Sequence, residues 1–381
     1  MRTFDYAAFS QKMWDTEILN YTNLIHEYKG KQELYIRLKP MELKKLVVIA
    51  KVQSTESSNR IEGIVTTSSR IEAIVKEKTT PRNRDEYEIA GYRDVLNTVH
   101  ESHDFIPIRG NYILQLHRNL MQYTGSNLGG VYKITQNHLK ETREGGTEFI
   151  RFTPVAPSHL KETREDGTEF IRFTPVAPFE TEMYVNEICE CYHKAIEEQK
   201  VDPLLIIPVF IHDFLCIHPF NDGNGRMSRL LTLLLLYQSG YQVGRYISIE
   251  KHIEKTKMSY YDALNLASQG WHEGEEDPEP FIKYMLGVIL ACYREFESRV
   301  EVLSKPDEDG KVLVKSSATD IVRAAIQSRI GKFTKTEILN ICPTISRSSV
   351  EAGLREMIAN GEIQRFGTGR STYYLRSDAL E

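Results

Sequence analysis

Residues 204–229 constrain this chain more than any other stretch. An apolar run from Leu204 to Ile217 enters the segment His218-Pro219-Phe220-Asn221-Asp222-Gly223-Asn224-Gly225-Arg226-Met227-Ser228-Arg229, and a second apolar run, Leu230 to Tyr237, leaves it. That pattern predicts two buried helices joined by a tight, glycine-bearing polar loop. The second helix should begin near Asn224 or Gly225. Its first backbone N–H groups and positive dipole end then lie inside the loop, a ready site for an anion. Arg226 and Arg229 share one face of the first turn and can grip separate phosphates of one chain. Asp222 is a hard oxygen ligand beside that anion site, which suits Mg²⁺. His218 ends the first helix and can accept a proton from an incoming hydroxyl. A lone Gly-Asn-Gly would read as a helix cap flanked by solvated arginines. A base, a metal carboxylate, an anion nest and two arginines within one short loop argue for chemistry instead.

The totals narrow the class. A chain of 381 residues has room for two or three domains, each with its own core. No apolar run approaches the length of a membrane span, and Met1 to Tyr6 lacks the apolar core of a signal peptide, so a cytoplasmic protein without a membrane partner is expected. A formal charge of −5 gives no global attraction to nucleic acid. The five cysteines are odd in number and have no zinc-ligand spacing, which fits reduced thiols. Cys189 and Cys191 would point about 200° apart on a helix, so they are read as structural.

Before the loop, the chain reads as helices. Trp14, Ile18, Tyr21, Leu24 and Ile25 keep helical spacing, and so do Met41–Val52, Glu86–Val99 and Ile113–Tyr123, while 129–133 should turn extended. Ser58 and Glu62 lie one turn apart on a helix that Gly63 can end; spacing alone makes this a surface helix end. The segment His138–Pro157 recurs as His159–Pro178 with a single difference, Gly145 against Asp166. Two such similar copies point to a tandem duplication and not to a solenoid. Each copy reads as a β-hairpin, the second with an Asp166-Gly167 turn before the strand Thr168–Phe173. Beyond the loop stand an amphipathic Tyr260-Tyr261 pair, read first as core, and a closing helix from Phe281 to Val300. A linker rich in charge, Pro and Gly occupies Ser304–Lys311. Helices are expected at Thr319–Ile330, Thr334–Asn340 and Ser346–Asn360, followed by a hairpin over Gly361–Leu375.

The segment His218–Arg229 resembles, at every fixed position, the signature of the Fic (Fido) family, His-Pro-Phe-x-(Asp/Glu)-Gly-Asn-Gly-Arg-x-x-Arg. The resemblance implies a mainly α fold: a Fic-type helical bundle with a β-hairpin flap, plus a small C-terminal winged-helix (α+β) domain. The implied boundaries are an N-terminal helical region (1–100), a catalytic core (101–303, with the duplication at 138–178), a linker (304–315) and the winged helix (316–381). The implied activity is that of a self-inhibited protein adenylyltransferase. It would move AMP from ATP, the co-substrate, with Mg²⁺ to a Ser, Thr or Tyr hydroxyl of a protein, itself included. His218 would be the base and Asp222 the metal ligand. Gly223, Asn224, Gly225, Arg226 and Arg229 would hold the phosphates, with the Asn224 side chain facing them. Ser58-x-x-x-Glu62-Gly63 resembles the family's inhibitory motif, in which Glu62 pairs with Arg229. Tyr260 and Tyr261, with Ser268 seven positions on where asparagine is common, would lie on the adenine side. Phe170, Ile171, Arg172 and Phe173 of the second copy would form the flap edge that docks the target. The first copy would then be an extra hairpin or loop. The family often has arginine where Lys133 stands.

Alternatives stay open at this point. The same loop serves relatives that move other phosphate-bearing groups, and the reaction can run in reverse as deAMPylation. A DNA-binding regulator with a nucleotide-sensing core is the reading from another class. From Ser316 onward there are nine basic and seven acidic residues, so the winged helix favours protein contact or a homo-oligomer over DNA.

Overall fold

The structure, a computed structural model, describes residues 2–38, 40–136, 139–141, 153–154, 170–302, 318–327, 332–342, 345–367 and 372–377. The chain divides into two compact units, Met1–Lys29 with Ala50–Cys292, and Gly30–Ile49 with Tyr293–Glu381.

The described chain is mainly helical. Two long helices come first, α1 (Thr16–Leu38) and α2 (Pro40–Ile61), followed by α3 (Ser68–Val75), α4 (Arg84–Ser102) and α5 (Gly110–Met121). Trp14 precedes α1, and residues 131–133, expected to be extended, form no regular strand. Three short strands follow: β1 (Leu139–Glu141), β2 (Thr153–Pro154) and β3 (Phe170–Phe173). Then come α6 (Thr181–Glu198), α7 (Pro203–Ile217), α8 (Asn224–Gln238), α9 (Ile249–Lys255), α10 (Lys257–Ala267) and α11 (Glu279–Val302).

Helices α7 and α8 pack against each other at the centre of the larger unit, with α6 beside α7 and α4 beside α8. Their placement follows from the sequence. Asp202 caps α7 by accepting from the Leu204 N–H, and Pro203 occupies the first turn, where its missing N–H costs nothing. Every residue of α7 after Pro203 is buried, as is every residue of α8 from Arg226 to Tyr237. Apolar side chains all round make these the helices that others must cover.

Among the described residues the first copy keeps an antiparallel pairing of its own and also joins the second copy. β1, from the first copy, pairs antiparallel with β3, from the second, setting Leu139 opposite Phe173 and Glu141 opposite Phe170. On its other side β1 pairs with β2 of its own copy, Leu139 opposite Pro154. The sheet order is β2-β1-β3, so β1 is the only described neighbour of the Phe170–Phe173 strand. Because the copies are nearly identical, a first strand pairs equally well with either later strand, and sequence alone could not choose. The Asp166-Gly167 turn lies outside the described residues.

The smaller unit carries α12 (Ala318–Gln327), α13 (Lys335–Ile341) and α14 (Arg347–Ala359), then a hairpin of β4 (Ile363–Phe366) and β5 (Tyr373–Arg376). Thr334 and Glu337 form a reciprocal capping box at α13, and Ser346 caps α14. Val322, Ile326, Ile338, Leu354 and Tyr374 share one core. Phe333 adds a backbone bridge to Tyr374 that the sequence reading lacked. The expected linker lies outside the described residues. None of the five cysteines is in a disulfide, and among the described residues no helix is long and apolar enough to cross a membrane.

Candidate active site

The loop between α7 and α8 is shaped by two left-handed residues. Gly223, at φ 81°, precedes α8 without a side-chain cap, a backbone that glycine adopts at no steric cost. The first N–H groups of α8 therefore face the loop, as expected. His218 ends α7 at φ 52° and ψ 63°, its N–H bonded to the Phe214 carbonyl at 2.9 Å. Its ring Nδ1 lies 3.3 Å from the Leu215 carbonyl. An acceptor at that distance fixes the proton on Nδ1 and leaves the Nε2 lone pair free. Burial, reinforced by the neighbouring Lys133, pushes the His218 pKa down to about 3, so the imidazole is neutral at ordinary pH.

One expectation is corrected inside the loop. The Asn224 side chain, expected to face the phosphates, is buried and ties the loop shut. Its Oδ1 accepts from the Phe220 N–H at 2.9 Å and its Nδ2 donates to the Phe220 carbonyl at 2.7 Å. Only the Asn224 backbone N–H is left to serve an anion. His117 of α5 is a residue the sequence reading missed. It stacks on Phe220 with ring centres 3.7 Å apart, accepts from the Gly130 N–H at Nδ1, and donates from Nε2 to the Asp222 carbonyl.

The two arginines of α8 are both held by carboxylates. Arg229 donates from Nε to Ser58 Oγ (2.8 Å) and from Nη2 to the Ser58 carbonyl (2.9 Å) and to Glu62 Oε1 (2.7 Å). Ser58 lies on α2; Glu62 follows the helix end in a turn closed by Gly63 at φ 80°. A Cβ at Gly225 would stand 2.2 Å from Glu62 Oε1. The Glu62 carboxylate therefore rests against the opening turn of α8, and a side chain at Gly225 would evict it. Arg226 instead meets Glu88 of α4, Oε2 at 2.9 Å, and Asp222 Oδ1 at 3.6 Å. Glu88 had no place in the sequence reading, because one glutamate on a long helix carries no distinguishing signal. Each arginine is thus already paired: Arg229 with the Glu62 that the resemblance set against it, and Arg226, expected to wait for a phosphate, with Glu88.

Tyr260 and Tyr261 of α10 are buried, with ring centres 5.2 Å apart. The Arg229 and Glu62 charges act on both phenols, so the pair lies on the Glu62 side of the site. Ser268 follows α10. It donates to the Leu264 carbonyl of its own helix and meets His212 Nε2 of α7 at 3.2 Å, so its hydroxyl is engaged locally. In β3, Phe173 stacks on His272, 5.3 Å between centres, and packs edge-on to Trp271. Phe170, Ile171 and Arg172 are described as strand positions.

A family model described as the Fic/DOC family matches residues 107–236. These residues form a Fic domain. The match takes in α5, β1 to β3, α6, α7, the loop and all but the last two residues of α8. A protein adenylyltransferase Fic from Drosophila mojavensis is 34% identical over 104 residues, 26% of this chain and 18% of that protein. A Fido domain-containing protein from Dictyostelium discoideum is 29% identical over 111 residues, 29% of this chain and 73% of that protein. The chain thus spans about a fifth of the length of the adenylyltransferase it matches. In fold the likeness runs further. The crystal structure of a Fic family protein from Desulfovibrio desulfuricans G20 aligns with TM-score 0.56 and 18% identity over 96% of this chain and 97% of that one. Fic-1 from Caenorhabditis elegans aligns with TM-score 0.51 and 19% identity over 77% and 74%.

Proposed function

We propose that this Fic-domain chain is a protein adenylyltransferase restrained by its own α2 helix. One observation carries the reading: Ser58 and Glu62 occupy Arg229 at the opening turn of α8, where a phosphate would otherwise sit. A carboxylate and a phosphate compete for one guanidinium, and in a closed site they repel. While Glu62 stays, the terminal phosphate of ATP cannot take its place on Arg229, and the α-phosphate is not turned toward His218.

With Glu62 displaced, the chemistry follows from the residues in place. A target hydroxyl attacks the α-phosphorus, its proton passes to His218 Nε2, a new phosphoester bond to AMP forms, and the α–β bond breaks to release pyrophosphate. His218 is suited to this because it is neutral and its tautomer is set by Leu215. A positioned base of this kind is worth about 10²–10⁴ in rate. Phosphate charge brought in by ATP raises the His218 pKa from its low resting value, which strengthens the base when it is needed. The N–H groups at the start of α8 stabilise the charge that develops on the phosphates. In this reading Tyr260 and Tyr261 would lie toward the adenine, and the edge of β3 away from β1 would dock the target as an added strand.

The fit to Mg²⁺ rests on Asp222. Its carboxylate is about half exposed (47%) beside the opening turn of α8, and no cluster of three metal-ligating side chains occurs among the described residues. A single carboxylate supplemented by substrate phosphates is how proteins commonly hold Mg²⁺. Bound there, the ion would neutralise phosphate charge.

The C-terminal helices and hairpin are read as a winged helix that contacts protein. Lys335 and Arg347 share Glu351, and Arg323 bonds Glu362, so these cations are offset before any phosphate backbone arrives.

The test uses the full chain as wild type, Glu62→Gly and His218→Ala, with Mg²⁺ and ATP labelled at the α- or the γ-phosphate. Covalent α-label that rises in Glu62→Gly and disappears in His218→Ala is expected. Label from the γ-position alone would replace the reading with phosphate transfer.

A further inference from the structure

The backbone around His218 is fixed from outside the loop, and by a residue the proposed chemistry leaves idle. Lys133 is 2% exposed. Its backbone N–H donates to the Pro219 carbonyl at 2.8 Å, and its Nζ donates to the Ile217 carbonyl, also at 2.8 Å. These two carbonyls flank His218 on either side. The splint continues as Ile134 donates from its N–H to Asn221 Oδ1 at 3.3 Å, and Gln136 Nε2 donates to the Pro175 carbonyl just beyond β3.

Two costs converge here and need a reason. A non-glycine residue in the left-handed region is strained and persists only where its surroundings over-determine it. A buried lysine amine is costly as well, and an aliphatic side chain would fill the same space without that cost. Desolvation alone accounts for the downward push on the Lys133 pKa, to about 7, so no neighbouring acid explains its burial. What Lys133 supplies that an aliphatic residue cannot is the donor to Ile217.

We propose that Lys133 is the positioning residue of His218, clamping the carbonyls before and after it so that the left-handed turn aims the imidazole with Nδ1 on Leu215 and Nε2 free. Its consequence for rate rests on the adenylyl-transfer reading, while its consequence for the ring does not.

The test separates the two. Full-length protein is labelled with ¹⁵N-histidine, and His218 is identified by its absence in His218→Ala. Lys133→Met fills the space without a donor; Lys133→Arg keeps one. Wild type and Lys133→Arg are expected to show a single His218 tautomer protonated at Nδ1, and Lys133→Met an average of both tautomers. In a Glu62→Gly background, Lys133→Met should lower kcat for α-label transfer about 10- to 100-fold, part of what a positioned base provides. KM for ATP should stay unchanged, and Lys133→Arg should restore most of the rate. Unchanged His218 shifts in Lys133→Met would overturn the proposal, and so would a loss confined to KM. Shifted His218 signals with no transfer by any variant would uphold the clamp and remove the transferase reading. If Lys133→Met does not fold, Lys133→Gln, too short to reach Ile217, gives the same comparison.

Discussion

Arg229 and Arg226 stand one turn apart on α8 and are each paired with a glutamate, yet the pairs differ in kind. Glu88 comes from the second turn of α4 with its side chain 5% exposed, whereas Glu62 comes from a turn at the end of α2 with its side chain 27% exposed. The first carboxylate has nowhere to go. The second needs only a change in one turn to leave. A buried pair is broken at high cost because the survivor is left as an uncompensated charge, while a half-solvated carboxylate can be exchanged for another anion. Arg226 therefore reads as a fixed part of the site, shared between Glu88 and Asp222, and Arg229 as the part that can be switched.

The most severe way to break this contrast is Glu88→Ala. It strands the Arg226 charge with Asp222 at 3.6 Å as its remaining acid. A loss of about 3–5 kcal/mol in denaturant unfolding is expected, with no gain in transfer. Increased transfer in a stable Glu88→Ala protein would mean that both arginines are braked alike and the contrast is wrong.

Glu62→Gly should act in the opposite sense. Stability should fall by less than in Glu88→Ala, because Glu62 is part-solvated and Arg229 keeps its two acceptors on Ser58, while α-label transfer should rise about 10- to 100-fold, the usual size of a coupling between two competing ligands. Adding Arg229→Ala should erase that gain. A gain that survives without Arg229 would show that Glu62 restrains the site by filling space over Gly225 and not by holding a guanidinium.

The contrast also marks what the sequence could reveal. The two apolar runs and the glycines of the loop between them are local signals, and the structure sets α7, the loop and α8 where those signals placed them. Ser58 and Glu62 were legible by resemblance, with Gly63 marking the turn. Glu88, His117 and Lys133 were not. Each comes from a distant segment of ordinary pattern, and its meaning depends on which groups the fold brings against it. Asn224 was misread for a related reason. An amide both donates and accepts, so only the loop's closed shape decides that Phe220 uses both ends. Composition said as little about the hairpin, where near-identical copies offer equivalent pairings and the β1–β3 register emerges only in the fold. The three C-terminal helices and the hairpin after them were legible, but the Thr334 capping box went unread and a single-residue bridge such as Phe333 to Tyr374 leaves no periodic trace.

A finer cut at the switchable pair is Ser58→Ala. Ser58 is fully buried and its hydroxyl accepts from Arg229 Nε, while its carbonyl and Glu62 would remain. Loss of one such bond is worth about 1 kcal/mol. Transfer should rise about fivefold, less than in Glu62→Gly. Equal activation by both variants would make the serine the true latch.

The smallest expected effect is a null difference, and it separates stability from restraint. His100 and His212 lie away from both arginine pairs and are buried neutral, His100 held well below the usual 6.5 and His212 down to about 3, in both cases chiefly by desolvation. Their folded pKa values lie below the unfolded one, so the unfolded chain binds more protons over that interval. The stability tied to them is complete above about pH 6.5 and is lost as pH falls, by about 1.4 kcal/mol per pH unit for each. Asp213 runs the other way. Burial raises its pKa to about 6 from 3.8, so the folded form gains stability as pH falls from about 6 toward 4 and offsets one histidine. His117 and His218, pushed down to about 4 and about 3 chiefly by desolvation, act in the same sense, so acid melts should weaken from pH 6 toward 4 with a net slope near that of three histidines. Glu62→Gly alters none of these groups, so wild type and Glu62→Gly should trace parallel curves. Curves that diverge in acid would show Glu62 contributing to the fold, and the Arg229 pair would then be structural, like its neighbour one turn away.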